Sequence, residues 1–155
     1  MSIRFQVHRT IHGSQEKVYE SLIDLDDAKE WMQGFGGIER LDEGPVQEGS
    51  QWLETRKIFG QKATEHFEVV QLVHPEKIVL RCDGTKGTTG KGEFIYTYNL
   101  FSENDMNTDV TLSGEINELT GMAKFFGKMM GGTFKKACAK DLDALKQYIE
   151  NGLND

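Results

Sequence analysis

Cysteine and proline are both scarce in this 155-residue sequence, with two of each. Cys82 and Cys138 have no spacing that suggests metal binding, and in a reducing compartment free buried thiols are the default. No apolar run approaches the ~20 residues needed to cross a bilayer. The opening MSIRFQVHR alternates polar and apolar residues instead of offering a continuous apolar stretch, so no secretory leader is expected and the expected location is the cytoplasm. Basic residues are outnumbered, 18 against 25 acidic, and the net charge of −7 repels phosphates and anionic membrane surfaces. Neither nucleic acid nor stable membrane insertion is therefore expected. Repeats, linkers and low-complexity tracts are missing as well, which leaves a single domain over 1–155.

What is present is alternation. From Ile3 to Ile11 the odd positions read Ile3, Phe5, Val7, Arg9 and Ile11, a period of two that predicts a strand with one wet face. Gly13 and Ser14 stop it, and Ser14 is placed to cap a helix carrying Val18, Leu22 and Ile23 on one side. A second short helix is expected from about Asp26 to Met32, ending near GFGG. Six further strands follow: Gly37 to Leu41, Gln51 to Phe59, Lys62 to Val73, Lys77 to Cys82, Gly92 to Phe101 and Thr108 to Ile116. The turns between them are short, which implies an antiparallel meander.

The final segment is helical. At about 100° per residue, Lys124, Lys128, Lys135, Asp143, Lys146 and Glu150 fall on one side, with Phe126, Met130, Phe134, Cys138, Leu142, Leu145 and Ile149 on the other. One helix from about Gly121 to Glu150 accounts for both sets. Gly131 and Gly132 weaken it by about 1 kcal/mol each relative to alanine, so a bend or close backbone contact is expected there. Phe125 and Met129 lie on the flank of the charged face, so the first half of the helix is apolar over a wider arc than packing on one sheet requires.

Motifs with fixed chemistry are absent. GTKGTTGKGE lacks the first glycine of a phosphate loop, has Gly92 where Ser or Thr belongs, and precedes a strand instead of a helix; it reads as a mobile hairpin loop. The four histidines offer no helix-spaced pair, so no metal site is expected, and no strand-turn-helix nucleophile elbow occurs. No cofactor is expected, and no catalytic residue is assigned.

Two rows of strand residues are candidates for a binding site. Phe94, Tyr96, Tyr98 and Leu100 alternate cleanly and are assigned to the interior, where tyrosine would offer an apolar body and a hydroxyl. Trp52, Glu54 and Arg56 share a face, as do His66 and Glu68 on the following strand, and a short turn at Gly60 makes those strands neighbours. If that face is concave, Glu54, Arg56 and His66 project inward and could hold a polar head group or do acid/base work. The opposite row, Leu53, Thr55 and Phe59, could claim the interior instead. The cost of unpaired buried charge favours this second reading, with the charged set as a solvated ladder.

Taken with IHGSQEKVYESLIDLDDAKEWM, GPVQEGSQW, LETRKIFG, VVQLVHPEKIVL and KKACAKDLDALKQYIE, this order of elements resembles the helix-grip superfamily of birch-pollen-allergen-like and START-like proteins, and its bacterial polyketide cyclase/dehydrase-like group. The resemblance implies an α+β helix-grip fold: a curved antiparallel sheet of about seven strands, two short helices and a long C-terminal helix over a hydrophobic cavity. Its motifs are packing and turn signatures, so it bears on fold more than function. The leading expectation is a carrier for a small hydrophobic ligand, bound between Trp52, Tyr96 and Tyr98 of the sheet and Phe125, Phe126, Met129 and Met130 of the helix. Lys124, Lys128, Lys135 and Lys136, which precede the helix's first acid, add the expectation of an anionic ligand head. Alternatives are a cyclase or hydratase using Glu54 or His66 as base with Tyr96 or Arg56 polarising a carbonyl, and a chaperone-activator-like module that binds a protein partner through the final helix.

Overall fold

The computed structural model describes residues 2–58, 60–117 and 122–152, with the side chains of 58 and 122–131 outside that description. Seven strands form one antiparallel sheet: β1 (Ile3–His12), β2 (Phe35–Arg40), β3 (Gln51–Ile58), β4 (Gln61–Val73), β5 (Lys77–Asp83), β6 (Glu93–Asn104) and β7 (Asn107–Asn117). Their order is β1-β7-β6-β5-β4-β3-β2, so the first two strands of the chain lie at opposite edges. Helices α1 (Gln15–Ile23) and α2 (Ala28–Trp31) bridge that span, and α3 (Met122–Gly152) closes the fold.

Local chemistry explains the boundaries. Ser14 caps α1 as its position predicts, its Oγ accepting from the Lys17 N–H at 3.1 Å. Asp24 Oδ1 accepts from the Asp26 and Asp27 N–H groups, which turns the chain between the helices and starts α2 later than Asp26. Helix α2 ends at Trp31, near GFGG as expected, and GFGG itself leads into β2. Gly34 takes φ +66°, and a Cβ there would run into the Lys57 carbonyl, so only glycine lets the chain enter the edge strand at that point. The loop after β5 is anchored: Thr88 N–H donates to Thr64 O at 2.8 Å and Thr89 N–H to Glu65 Oε1 at 3.0 Å. The expected hairpin loop does join β5 to β6, and these bonds fold it back on β4.

Strand β7 alternates strictly, with Thr108, Val110, Leu112, Gly114 and Ile116 buried and their neighbours half-exposed. The buried row packs against α3 through Leu142, Leu145 and Ile149, all under 3% exposed, and against Val18, Leu22 and Trp31 of the short helices. A smaller cluster of Cys82, Phe94 and Ile116, joined by Phe5, Phe67, Tyr96 and Phe134, lies toward the other end. Phe5 lies over Gly114, where any Cβ would collide with its ring. Helix α3 continues through Gly131 and Gly132, and a Cβ at Gly132 would meet nothing within 4 Å, so the close contact expected there is not found at Gly132.

Candidate ligand site

A two-residue connection joins β3 to β4, with Ile58 opposite Gln61, and this register decides which side chains share a face. Trp52 lies opposite Phe67 and Glu54 opposite Glu65. The row Trp52, Glu54, Arg56 faces the interior: Trp52 is 3% exposed, Glu54 6%, and the Arg56 side chain 16%. The expected solvated ladder is thereby corrected. The desolvation cost that favoured it is met by pairing, because Arg56 Nε donates to Glu54 Oε2 at 2.9 Å and Arg56 Nη1 to Asp141 Oδ2 of α3 at 2.6 Å. Trp52 Nε1 donates to the remaining Glu54 oxygen at 3.3 Å, and the Gln33 N–H donates to Asp141 Oδ1 at 3.1 Å. Burial works against the Arg56 charge, and Glu54 and Asp141 more than offset it, so its pKa lies above the ordinary value.

His66 does not join this set. It lies opposite Leu53 on the other face of the sheet, where its Nε2 is 2.8 Å from Gln51 Oε1 and its Nδ1 is buried without a hydrogen bond. The expectation that Glu54, Arg56 and His66 converge fails by one residue of register, which in a strand inverts the face.

Tyr96 and Tyr98 hold the interior positions expected of them, packed against the main core and partly accessible. Neither phenolic hydroxyl has a hydrogen-bond partner among the described residues. Burial, then the nearby Cys138, raises the pKa of both, so both stay protonated at neutral pH. Around them the rings run in sequence: Trp52 stacks on Phe67 at 5.8 Å with planes 9° apart, and Phe67 meets Tyr96 at 6.2 Å. Phe94 meets Phe134 of α3 at 5.3 Å. Cys82 and Cys138 flank the tyrosines as thiols. Burial first, then Asp141, pushes Cys138 up to about 12, and burial, then Glu65 and Glu54, raises Cys82.

Of the helix residues expected to line the site, the side chains of Phe125, Phe126, Met129 and Met130 lie outside the described residues. The described wall of α3 is Phe134, Cys138 and Asp141. Sequence reasoning passed over Asp141, Phe67 and Glu65. Asp141 carried a signal: it stands three residues after Cys138 and four before Leu145, so it is an acid at the edge of an apolar stripe. Counting back from the turn at Gly60 would have identified Phe67 and Glu65.

A long helix laid across a curved seven-stranded sheet, with two short helices bridging its edges, is the helix-grip α+β fold. The polyketide cyclase / dehydrase and lipid transport family matches residues 2–150, and the chain belongs to it. No curated protein matches. Among solved structures the chain is similar to an aromatase/cyclase from Streptomyces sp. R1128, at 15% identity and a TM-score of 0.77 over 99% of this chain and 96% of that one. It is also similar to a START superfamily protein from Mycobacterium smegmatis, at 14% identity and TM-score 0.73 over 96% and 97% of the two chains. A major latex-like protein from Panax ginseng matches at 10% identity and TM-score 0.66 over 88% and 96%. At these identities the likeness establishes the fold. No helix among the described residues is long and apolar enough to cross a membrane.

Proposed function

We propose that the protein binds a small hydrophobic ligand between α3 and the concave face of the sheet, at the end lined by Trp52, Phe67, Phe94, Tyr96, Tyr98 and Phe134. One observation carries the reading: two adjacent interior tyrosines are partly accessible, with hydroxyls that meet no described partner. Neither hydroxyl is among the described buried polar atoms that lack a hydrogen bond, so each reaches open space inside the fold, where a polar group still seeks a partner. A bound molecule can supply it. Membership of a family described by cyclase, dehydrase and lipid transport agrees with hydrophobic-ligand binding in general.

The cyclase or hydratase alternative draws less support from this arrangement. Both Glu54 oxygens already accept hydrogen bonds, from Trp52 and Arg56, and His66 faces away. The anionic head expected from the lysines gains nothing from Lys135 and Lys136, which are exposed, while the side chains of Lys124 and Lys128 lie outside the described residues. A protein partner has no particular observation behind it.

Native mass spectrometry of the purified protein, followed by denaturing extraction, tests the reading. A small apolar molecule released on denaturation is the expected result, and its binding should weaken about tenfold or more in Tyr96→Phe/Tyr98→Phe if the hydroxyls meet it. A protein that copurifies with nothing and leaves a neutral apolar dye dark would refute it.

A further inference from the structure

Resting on that pocket reading, we infer that the polar end of the site excludes anions and takes a head group that donates hydrogen bonds and carries no negative charge, such as a hydroxyl or an amine.

Carboxyl groups outnumber cations among the described charged side chains that face this part of the interior. Among the described residues, Arg56 is the one cation in the cluster, and it is held between Glu54 at 2.9 Å and Asp141 at 2.6 Å. Glu65 adds a third carboxyl, opposite Glu54 across the β3–β4 ladder, with Oε1 receiving Thr89 N–H at 3.0 Å and Oε2 buried with no hydrogen bond. Three carboxyl groups thus share this part of the interior with one guanidinium, whose charge is already committed to Glu54 and Asp141. A ligand carboxylate or phosphate brought here would face that excess where little water screens it. A donating head group meets acceptors instead: the carboxylate-rich wall, and the Tyr96 and Tyr98 oxygens, each of which can accept. Cys82 feels the same field, its thiol held protonated by burial and then by Glu65 and Glu54. The cations that could reverse the balance on the described part of α3, Lys135, Lys136 and Lys140, are exposed and have their charge in water.

Decanol, decylamine and decanoate share a chain and differ in the head. Each is used to displace a neutral naphthylamine dye from the protein at pH 7 and physiological ionic strength, where the Debye length of about 8 Å keeps the overall negative charge from deciding the outcome. Decanol and decylamine should each displace at about tenfold lower concentration than decanoate, and the gap should narrow in Glu65→Gln, which keeps the shape and removes a charge. Decanoate displacing as well as or better than decanol, or an unchanged gap in a folded Glu65→Gln, overturns the inference while the pocket stands. A dye that never binds, with no effect from any of the three, removes the pocket and the inference together.

Discussion

The two ends of the interior are built on different terms. At one end Leu142, Leu145 and Ile149 of α3 close on Val7, Ile11, Val110 and Leu112, all under 5% exposed, with no charged side chain among them. At the other, α3 presents Phe134, Cys138 and Asp141 to aromatic rings, two thiols, two tyrosine hydroxyls and an ion triad. The first end is an apolar jigsaw whose worth is the area it removes from water. The second carries polar groups that pair within the triad and, at the tyrosines, reach open space without a described partner. One helix therefore serves as a core element along part of its length and as the wall of a site along another.

Substitutions at each end test this division. Leu145→Ala, at a residue with no exposure, should destabilise by about 2 to 5 kcal/mol in urea unfolding, the range for emptying a packed core position. Arg56→Met leaves Glu54 and Asp141 without their shared partner and should cost about 1 to 3 kcal/mol by the same measurement, with Glu54→Gln/Arg56→Met recovering part of it. If Glu54→Gln/Arg56→Met recovers nothing over Arg56→Met, the charges at this end are not held by pairing as described. Tyr98→Phe should change stability by less than about 0.5 kcal/mol, since its hydroxyl has no described partner to lose.

The thiols give a test in pH. With Cys138 raised to about 12 and Cys82 raised as well, both remain thiols through neutral and mildly alkaline solution. Iodoacetamide should then modify neither in the folded protein at pH 8 over a period that fully modifies both in urea, as mass spectrometry would show. Rapid labelling of folded Cys138 at that pH would place it in an open, polar setting and contradict the packed wall.

Elements were more legible in the sequence than faces. The alternation of Phe94, Tyr96, Tyr98 and Leu100 gave both strand and inward row, because one of its faces is uniformly apolar. The row Trp52, Glu54, Arg56 was ambiguous for a physical reason: a buried charge is expensive alone and tolerable when paired, and one of its partners, Asp141, lies 85 residues away. His66 was misassigned because a strand position one residue off points to the other side, and only the exact pairing at the turn fixes which is which. GFGG was legible as the end of α2, but not as a sharp entry into β2, because glycine serves both purposes.

Asp141 joins segments that are distant along the chain, binding the Gln33 amide across 108 residues and Arg56 across 85. Closing loops of that length before other contacts exist costs chain entropy that two polar bonds cannot repay. A joint of that kind is expected to form late in folding, once the sheet is curved and the helix has docked. Interactions made after the rate-limiting barrier do not hasten its crossing; they slow the return. In kinetic terms this carboxylate is then expected to lengthen the lifetime of the native state, with the speed of reaching it left to the apolar end of the helix.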